Sequence, residues 1–136
     1  MRGDDRVKSD RIVGFIDIGT NSVRLLAARI HGDGTSRILS RQKQAVRLGQ
    51  GTLDGGVLPE EAIDRTILAC GRFAALARSF GADEIVAVAT SAAREAPNRA
   101  ELLARLRREA GIDVRVISGP EEARLIATGK NSRSEL

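Results

Sequence analysis

The chain has 136 residues, 42% hydrophobic and 29% charged, which suits one domain with a real core but is small for an enzyme that closes a cleft. No apolar run approaches the roughly 20 residues needed to cross a bilayer, so no membrane partner is expected. A single cysteine, Cys70, and a single histidine, His31, argue against a disulfide, a cysteine-rich metal site and a histidine-based metal or Ser/His relay. The net charge of +4 favours a polyanionic partner. Its 19 arginines and 3 lysines are scattered along the sequence, however, and without Trp or Tyr the stacking platforms of a single-strand nucleic-acid binder are missing; no nucleic acid is expected.

Residues 1–10, MRGDDRVKSD, are charged and lack a secretory signal's apolar stretch, so they read as a disordered lead-in to a cytoplasmic protein. Ile12 to Ile16 is a nearly unbroken apolar run, read as a strand buried on both faces and ending at Asp17. The loop DIGTNS follows, with a glycine able to take unusual backbone angles and three short polar side chains. Val23 to Ile30 resumes as a second strand, His31–Gly34 is a turn, and residues 36–48 read as a third, antiparallel strand towards an edge. After a glycine-rich crossing, Pro59, Glu60 and Glu61 open a helix whose apolar residues recur at helical spacing as far as Gly81. Gly71 within it suggests another backbone packed closely there. Residues 83–89 read as a buried strand and 90–97 as mostly loop, since Pro97 disfavours helix before it. Asn98 and Glu101 suggest a capping pair for a helix through Ala110. Residues 112–117 are a further strand, and Pro120 opens a last helix.

The element order is βββαβαβα: an α/β fold with a mixed five-stranded sheet covered by helices. If the strands ending at Asp17, Ala89 and Ile117 run the same way, loops 17–22, 90–97 and 118–122 share the carboxyl edge, where open α/β sheets bind ligands. These loops hold Asp17, Thr20, Asn21, Ser22, Thr90, Ser91, Arg94, Ser118, Glu121 and Glu122. That is an inventory for handling phosphate without histidine. Pro-Glu-Glu occurs at both Pro59–Glu61 and Pro120–Glu122, and a helix start accounts for either copy. Only the second follows a strand at the expected ligand edge.

DIGTNS resembles the first phosphate loop of the actin-like phosphotransferase superfamily. TSAAREAPN and VISGPEEARLI, following in that order, resemble the motif series of its exopolyphosphatase and guanosine pentaphosphate phosphatase branch. The resemblance covers roughly residues 11–129 and implies a ribonuclease H-like (actin-like ATPase) half-domain over residues 11–130. Residues 131–136 would be a tail, truncated before a second phosphate loop. It implies a phosphohydrolase acting on the terminal phosphate of inorganic polyphosphate or guanosine pentaphosphate. Glu122 would be the catalytic base and Arg94, with Ser91, a phosphate contact. Asp17, Gly19, Thr20, Asn21 and Ser22 would form the first phosphate loop, with Mg2+ near Asp17, directly or through water. A helix start lowers a carboxylate's pKa, so desolvation and nearby phosphate would have to raise that of Glu122. Because the chain lacks the family's second glycine-rich loop, the expectation is a lobe inactive alone. Alternatives are a nonenzymatic ligand-binding or dimerisation module, including a homodimer, and an actin-like kinase, which Asn21 argues against.

Overall fold

The apolar run at the start of the chain forms β1 (Arg11–Ile18), which turns back as β2 (Ser22–Ile30) and again as β3 (Ser36–Ala45). Helix α1 (Glu60–Ser79) crosses to β4 (Glu84–Ala89). A single turn, α2 (Ala92–Glu95), then leads to α3 (Arg99–Arg105), a π-helical turn (Leu106–Ala110) and β5 (Val114–Val116). The computed structural model describes residues 10–49, 56–90 and 92–117. Ser91, Ser118, Glu121, Glu122, the expected last helix and the tail lie outside them.

The strands make one sheet in the order β3-β2-β1-β4-β5. The hairpins pair β1 with β2 and β2 with β3 antiparallel, and the helical crossovers bring β4 parallel to β1 and β5 parallel to β4. The mixed five-stranded sheet is therefore as expected. The carboxyl ends of β1, β4 and β5 lie along one rim.

Residues opposite one another in register share a face of a sheet. Ile16 and Ile18 of β1, Val23 and Leu25 of β2, and Ala87 and Ala89 of β4 lie on one face. There they form a single core with α1, α3 and the π-helical turn, through Ile63, Cys70, Ala74, Leu102 and Leu106. On the other face Val13 is buried, but Phe15 is 39% exposed and Val86 37%, and Asp17 is exposed. The sequence reading of β1 as buried on both faces is thus corrected. Five apolar residues in a row do not report that none of the described helices packs beside Phe15.

Helix α1 lies close because its inward residues are small. Ala74, Ala77 and Cys70 are fully buried. A Cβ placed on Gly14 of β1 would stand 2.8 Å from the Cβ of Ala77, inside the roughly 3.5–4.0 Å at which carbons pack. The close approach predicted at Gly71 occurs at Gly14 instead; a Cβ at Gly71 would meet nothing within 4 Å. Thr66, buried in the same helix face, donates its hydroxyl to the Ala62 carbonyl at 2.8 Å.

The helix ends by a Schellman motif. Gly81 takes φ +91° and donates to Arg78 O, while Ala82 donates to Ala77 O. The π-helical turn closes similarly at Gly111, φ +70°, with Ile112 N donating to Leu106 O. Arg105 joins α3 to α1, donating to Asp64 at 2.8 Å and to Glu109 at 2.7 Å.

Two further expectations change. Asn98 stands before α3 without capping it through its side chain. Its amide instead takes the Leu58 N–H at 2.8 Å and donates to the Leu58 carbonyl at 3.1 Å. Residues 90–97, read as mostly loop, contain the turn α2, which ends before Pro97.

Burial pushes the Cys70 thiol up to about 12, so a thiol reagent is expected to modify it only on unfolding, when colour release tracks loss of helical circular dichroism. In urea denaturation, Gly71→Ala is expected to stabilise the fold by up to about 1 kcal/mol, because it removes helix-interior glycine without a clash. Gly14→Ala is expected to destabilise by roughly 1–3 kcal/mol, because α1 must move off the sheet.

Candidate phosphate site

The rim is built around the turn between β1 and β2. Asp17 is in β1, opposite Arg24 of β2 and Val88 of β4. The strand runs one residue further, to Ile18, so the six-residue loop contracts to Gly19, Thr20 and Asn21, with Ser22 already in β2. Gly19 N donates to Ser22 O at 2.9 Å. Gly19 is not among the positive-φ glycines. A Cβ there would press on the Ser22 carbonyl at 3.3 Å, so glycine serves close approach rather than an unusual angle.

The carbonyls of the tip face a second segment, absent from the sequence reading of the site. Val46 N and Arg47 N both donate to Asn21 O at 2.9 Å, and Gly49 N donates to Thr20 O at 2.8 Å. Three backbone bonds therefore hold the tip against the end of β3, and the Thr20 and Asn21 N–H groups take no part in the described hydrogen bonds. The fit is tight, for a Cβ at Gly49 would collide with the Thr20 methyl. Arg47 adopts φ +50°, a left-handed conformation that costs a non-glycine residue roughly 1–2 kcal/mol. Buried neighbours Val46 and Leu48, each 0% exposed, hold it there. Arg65 of α1 anchors the segment by donating to the Val46 carbonyl at 2.9 Å.

The second rim loop starts at Thr90, which is 4% exposed and whose N–H donates to Ile18 O at 3.2 Å. Arg94, on α2, is partly exposed. Its Nε meets Glu95 Oε1 at 3.2 Å, and its Nη1 donates to the Ile117 carbonyl at 3.2 Å. This ties the loop after β4 to the end of β5, alongside the bond from Ile117 N to Ala89 O at 3.0 Å.

Of the sequence-predicted residues, Asp17, Gly19, Thr20, Asn21, Ser22 and Arg94 all lie along this carboxyl rim. Ser91 and Glu122 are outside the described residues. Among the described residues no three of His, Cys, Asp and Glu cluster as metal ligands, and no helix is long and apolar enough to cross a membrane. His31 sits at the opposite end of the hairpin, its Nδ1 3.3 Å from Asp10.

Three strands ending at one rim, with the turn after β1 and an arginine there, make an α/β lobe of the kind that binds ligands at its carboxyl edge. Residues 28–134 match the Ppx/GppA phosphatase family, and the chain belongs to that family. It is 35% identical over 113 residues to exopolyphosphatase 1 of Mycobacterium tuberculosis, covering 83% of this chain and 33% of the relative. It is 34% identical over 119 residues to a putative exopolyphosphatase of Haemophilus influenzae, covering 88% and 36%. The crystal structure of a Ppx/GppA family member from Aquifex aeolicus superimposes with a TM-score of 0.80 at 37% identity, over 85% of this chain and 37% of that one. An exopolyphosphatase structure from Cytophaga hutchinsonii does so with a TM-score of 0.80 at 36% identity, over 85% and 36%. The chain thus spans about a third of these relatives' length, and its fold is their actin-like ATPase fold.

The tip should be sensitive to its buttress. Gly49→Ala is expected to broaden or shift the amide resonances of residues 19–22 in a 15N–1H spectrum, leaving those of β4 unmoved. Asn98→Ala is expected to cost about 1–3 kcal/mol in urea denaturation, since both polar groups of Leu58 lose their partner.

Proposed function

We propose that this chain is the lobe of a phosphohydrolase that holds the terminal phosphate of inorganic polyphosphate or guanosine pentaphosphate, and that it does not turn over alone. The observation that carries the reading is the shared rim: the turn at Thr20 and Asn21, whose N–H groups take no part in the described hydrogen bonds, lies along the same sheet edge as Arg94. The names of the exopolyphosphatase relatives support the same substrate class.

A terminal phosphoanhydride spreads charge over its oxygens, so its hydrolysis depends on electrostatic clamping and in-line placement of water. The Thr20 and Asn21 amides and the Thr20 and Ser22 hydroxyls would take phosphate oxygens. The Arg94 guanidinium has five donors, and its bonds to Glu95 and Ile117 O leave others to contact phosphate. Glu122 would accept the water's proton, and Ser91 would add a hydroxyl. Mg2+ suits the donor set, because hard oxygen ligands are what it takes and Asp17 presents an exposed carboxylate on the rim. Bound there, directly or through water, it would neutralise charge on the phosphate chain. The exposed Phe15 and Val86 favour the second reading, a nonenzymatic docking or dimerisation module.

Titration of the chain with tripolyphosphate and Mg2+, followed by 15N–1H spectra, is expected to move residues 19–22 and 92–95. Arg94→Ala is expected to weaken binding about tenfold, on the order of 1.4 kcal/mol. Phosphate release is expected to be absent in the wild-type chain and in Glu122→Gln. Glu122-dependent release would show a complete enzyme, and an unmoved rim would leave the module reading.

A further inference from the structure

The cations that look scattered in sequence are gathered by the β2–β3 ladder. These strands carry Arg24, Arg29, Arg37, Arg41 and Lys43, with no aspartate or glutamate between them. Register sorts them by face. Lys43 is directly opposite Arg24, which is opposite Asp17, and Arg41 is opposite Leu26 in the next row on the same face. Arg24, Arg41 and Lys43 are exposed, and none of the described ion pairs involves them. Of the strand carboxylates on their face, Asp17 stands at the inner end of the row and has a partner of its own, and Glu84 of β4, opposite Val13, is paired with Arg11 at 3.4 Å.

Like charges directly opposite across two strands destabilise a sheet. Here this occurs twice, at Arg24 with Lys43 and at Arg29 with Arg37. An edge strand needs charge to discourage pairing with another chain, but one sign on both strands of a pair is not needed for that. A bound polyanion would relieve the repulsion at Arg24 and Lys43. The cations begin on β2 at Arg24, two residues past Ser22, and extend one strand spacing, about 5 Å, to Lys43 before turning along β3 to Arg41.

We infer that Arg24, Lys43 and Arg41 form a second anion site, a track on the open face of β2 and β3 that holds the distal phosphates of a linear polyphosphate chain whose end lies at the rim. This rests on the reading of the rim as a phosphate site and adds the preference for a long chain over a short one. A flexible chain of closely spaced charges fits a short stripe leading straight out of the turn. The absence of Trp and Tyr disfavours a single-stranded nucleic acid there.

The test measures binding of long-chain polyphosphate, tripolyphosphate and duplex DNA by the full chain across a salt series, for wild type, Lys43→Glu, Lys43→Gln and Arg41→Gln. Lys43→Glu is expected to weaken long-chain binding about tenfold and to lower its log–log salt slope by about 1 or more, as loss of a phosphate contact does. Tripolyphosphate binding is expected to change less than twofold, and the melting temperature to stay level or rise as the repulsion with Arg24 becomes attraction. The two glutamine variants should weaken long-chain binding by smaller factors. Long-chain binding unchanged in all variants, or lowered equally for both phosphates, overturns the track while leaving the rim reading intact. Equal affinity for duplex DNA with the same dependence on Lys43 also overturns it, in favour of a general polyanion surface. If tripolyphosphate does not bind but long polyphosphate does so through Lys43, the rim reading fails and with it the placement of the chain's end, while Arg24, Lys43 and Arg41 stand as an anion site of their own.

Discussion

Strand β1 is hydrogen-bonded along both edges, antiparallel to β2 and parallel to β4, and the positions of the other elements follow from that double pairing. The antiparallel edge requires a tight turn at the end of β1. The parallel edge requires a crossover, which α1 supplies by lying on Gly14, where no side chain intervenes. Because β4 and β5 inherit the direction of β1, the turn α2 after β4 and the described end of β5 lie beside that turn. The β1–β2 turn, an arginine-bearing turn and the end of β5 thus share a rim because of strand direction, before any side chain is chosen.

The turn is held more firmly than its small polar residues suggest. Its carbonyls are occupied by the amides of Val46, Arg47 and Gly49, and that segment is in turn gripped by Arg65 of α1 and by the burial of Val46 and Leu48. With the carbonyls turned toward protein, the Thr20 and Asn21 amides take no part in the described hydrogen bonds, which is what the proposed phosphate site requires of fixed backbone dipoles. The left-handed angle at Arg47 is stored strain of the kind found beside binding sites. Here buried neighbours on either side maintain it.

Charge on this molecule is organised by pairing rather than by sequence proximity. Arg105 bridges α3 and α1, and Arg94 ties the loop after β4 to the end of β5 through Nη1 while keeping further donors. On β2 and β3, by contrast, strand pairing sets cation against cation. That asymmetry separates arginines that hold the fold from those that add field to the rim, and a count of net charge hides it.

Element types and order were readable because they rest on local physics. Apolar runs of strand length, the acidic opening of α1 and the glycine after its last turn each report on their own few residues. The motif DIGTNS likewise marked the turn between β1 and β2, and Arg94, singled out with it, lies along the same rim. Tertiary structure decided what depends on partners distant in the chain: that Gly14 rather than Gly71 receives a neighbour, that Asn98 serves Leu58 instead of its own helix, that Phe15 lies on an open face, and that Gly49 braces Thr20. A residue's identity limits which bonds it can make. Which backbone arrives within reach is set by how the strands pair, and no local pattern carries that information.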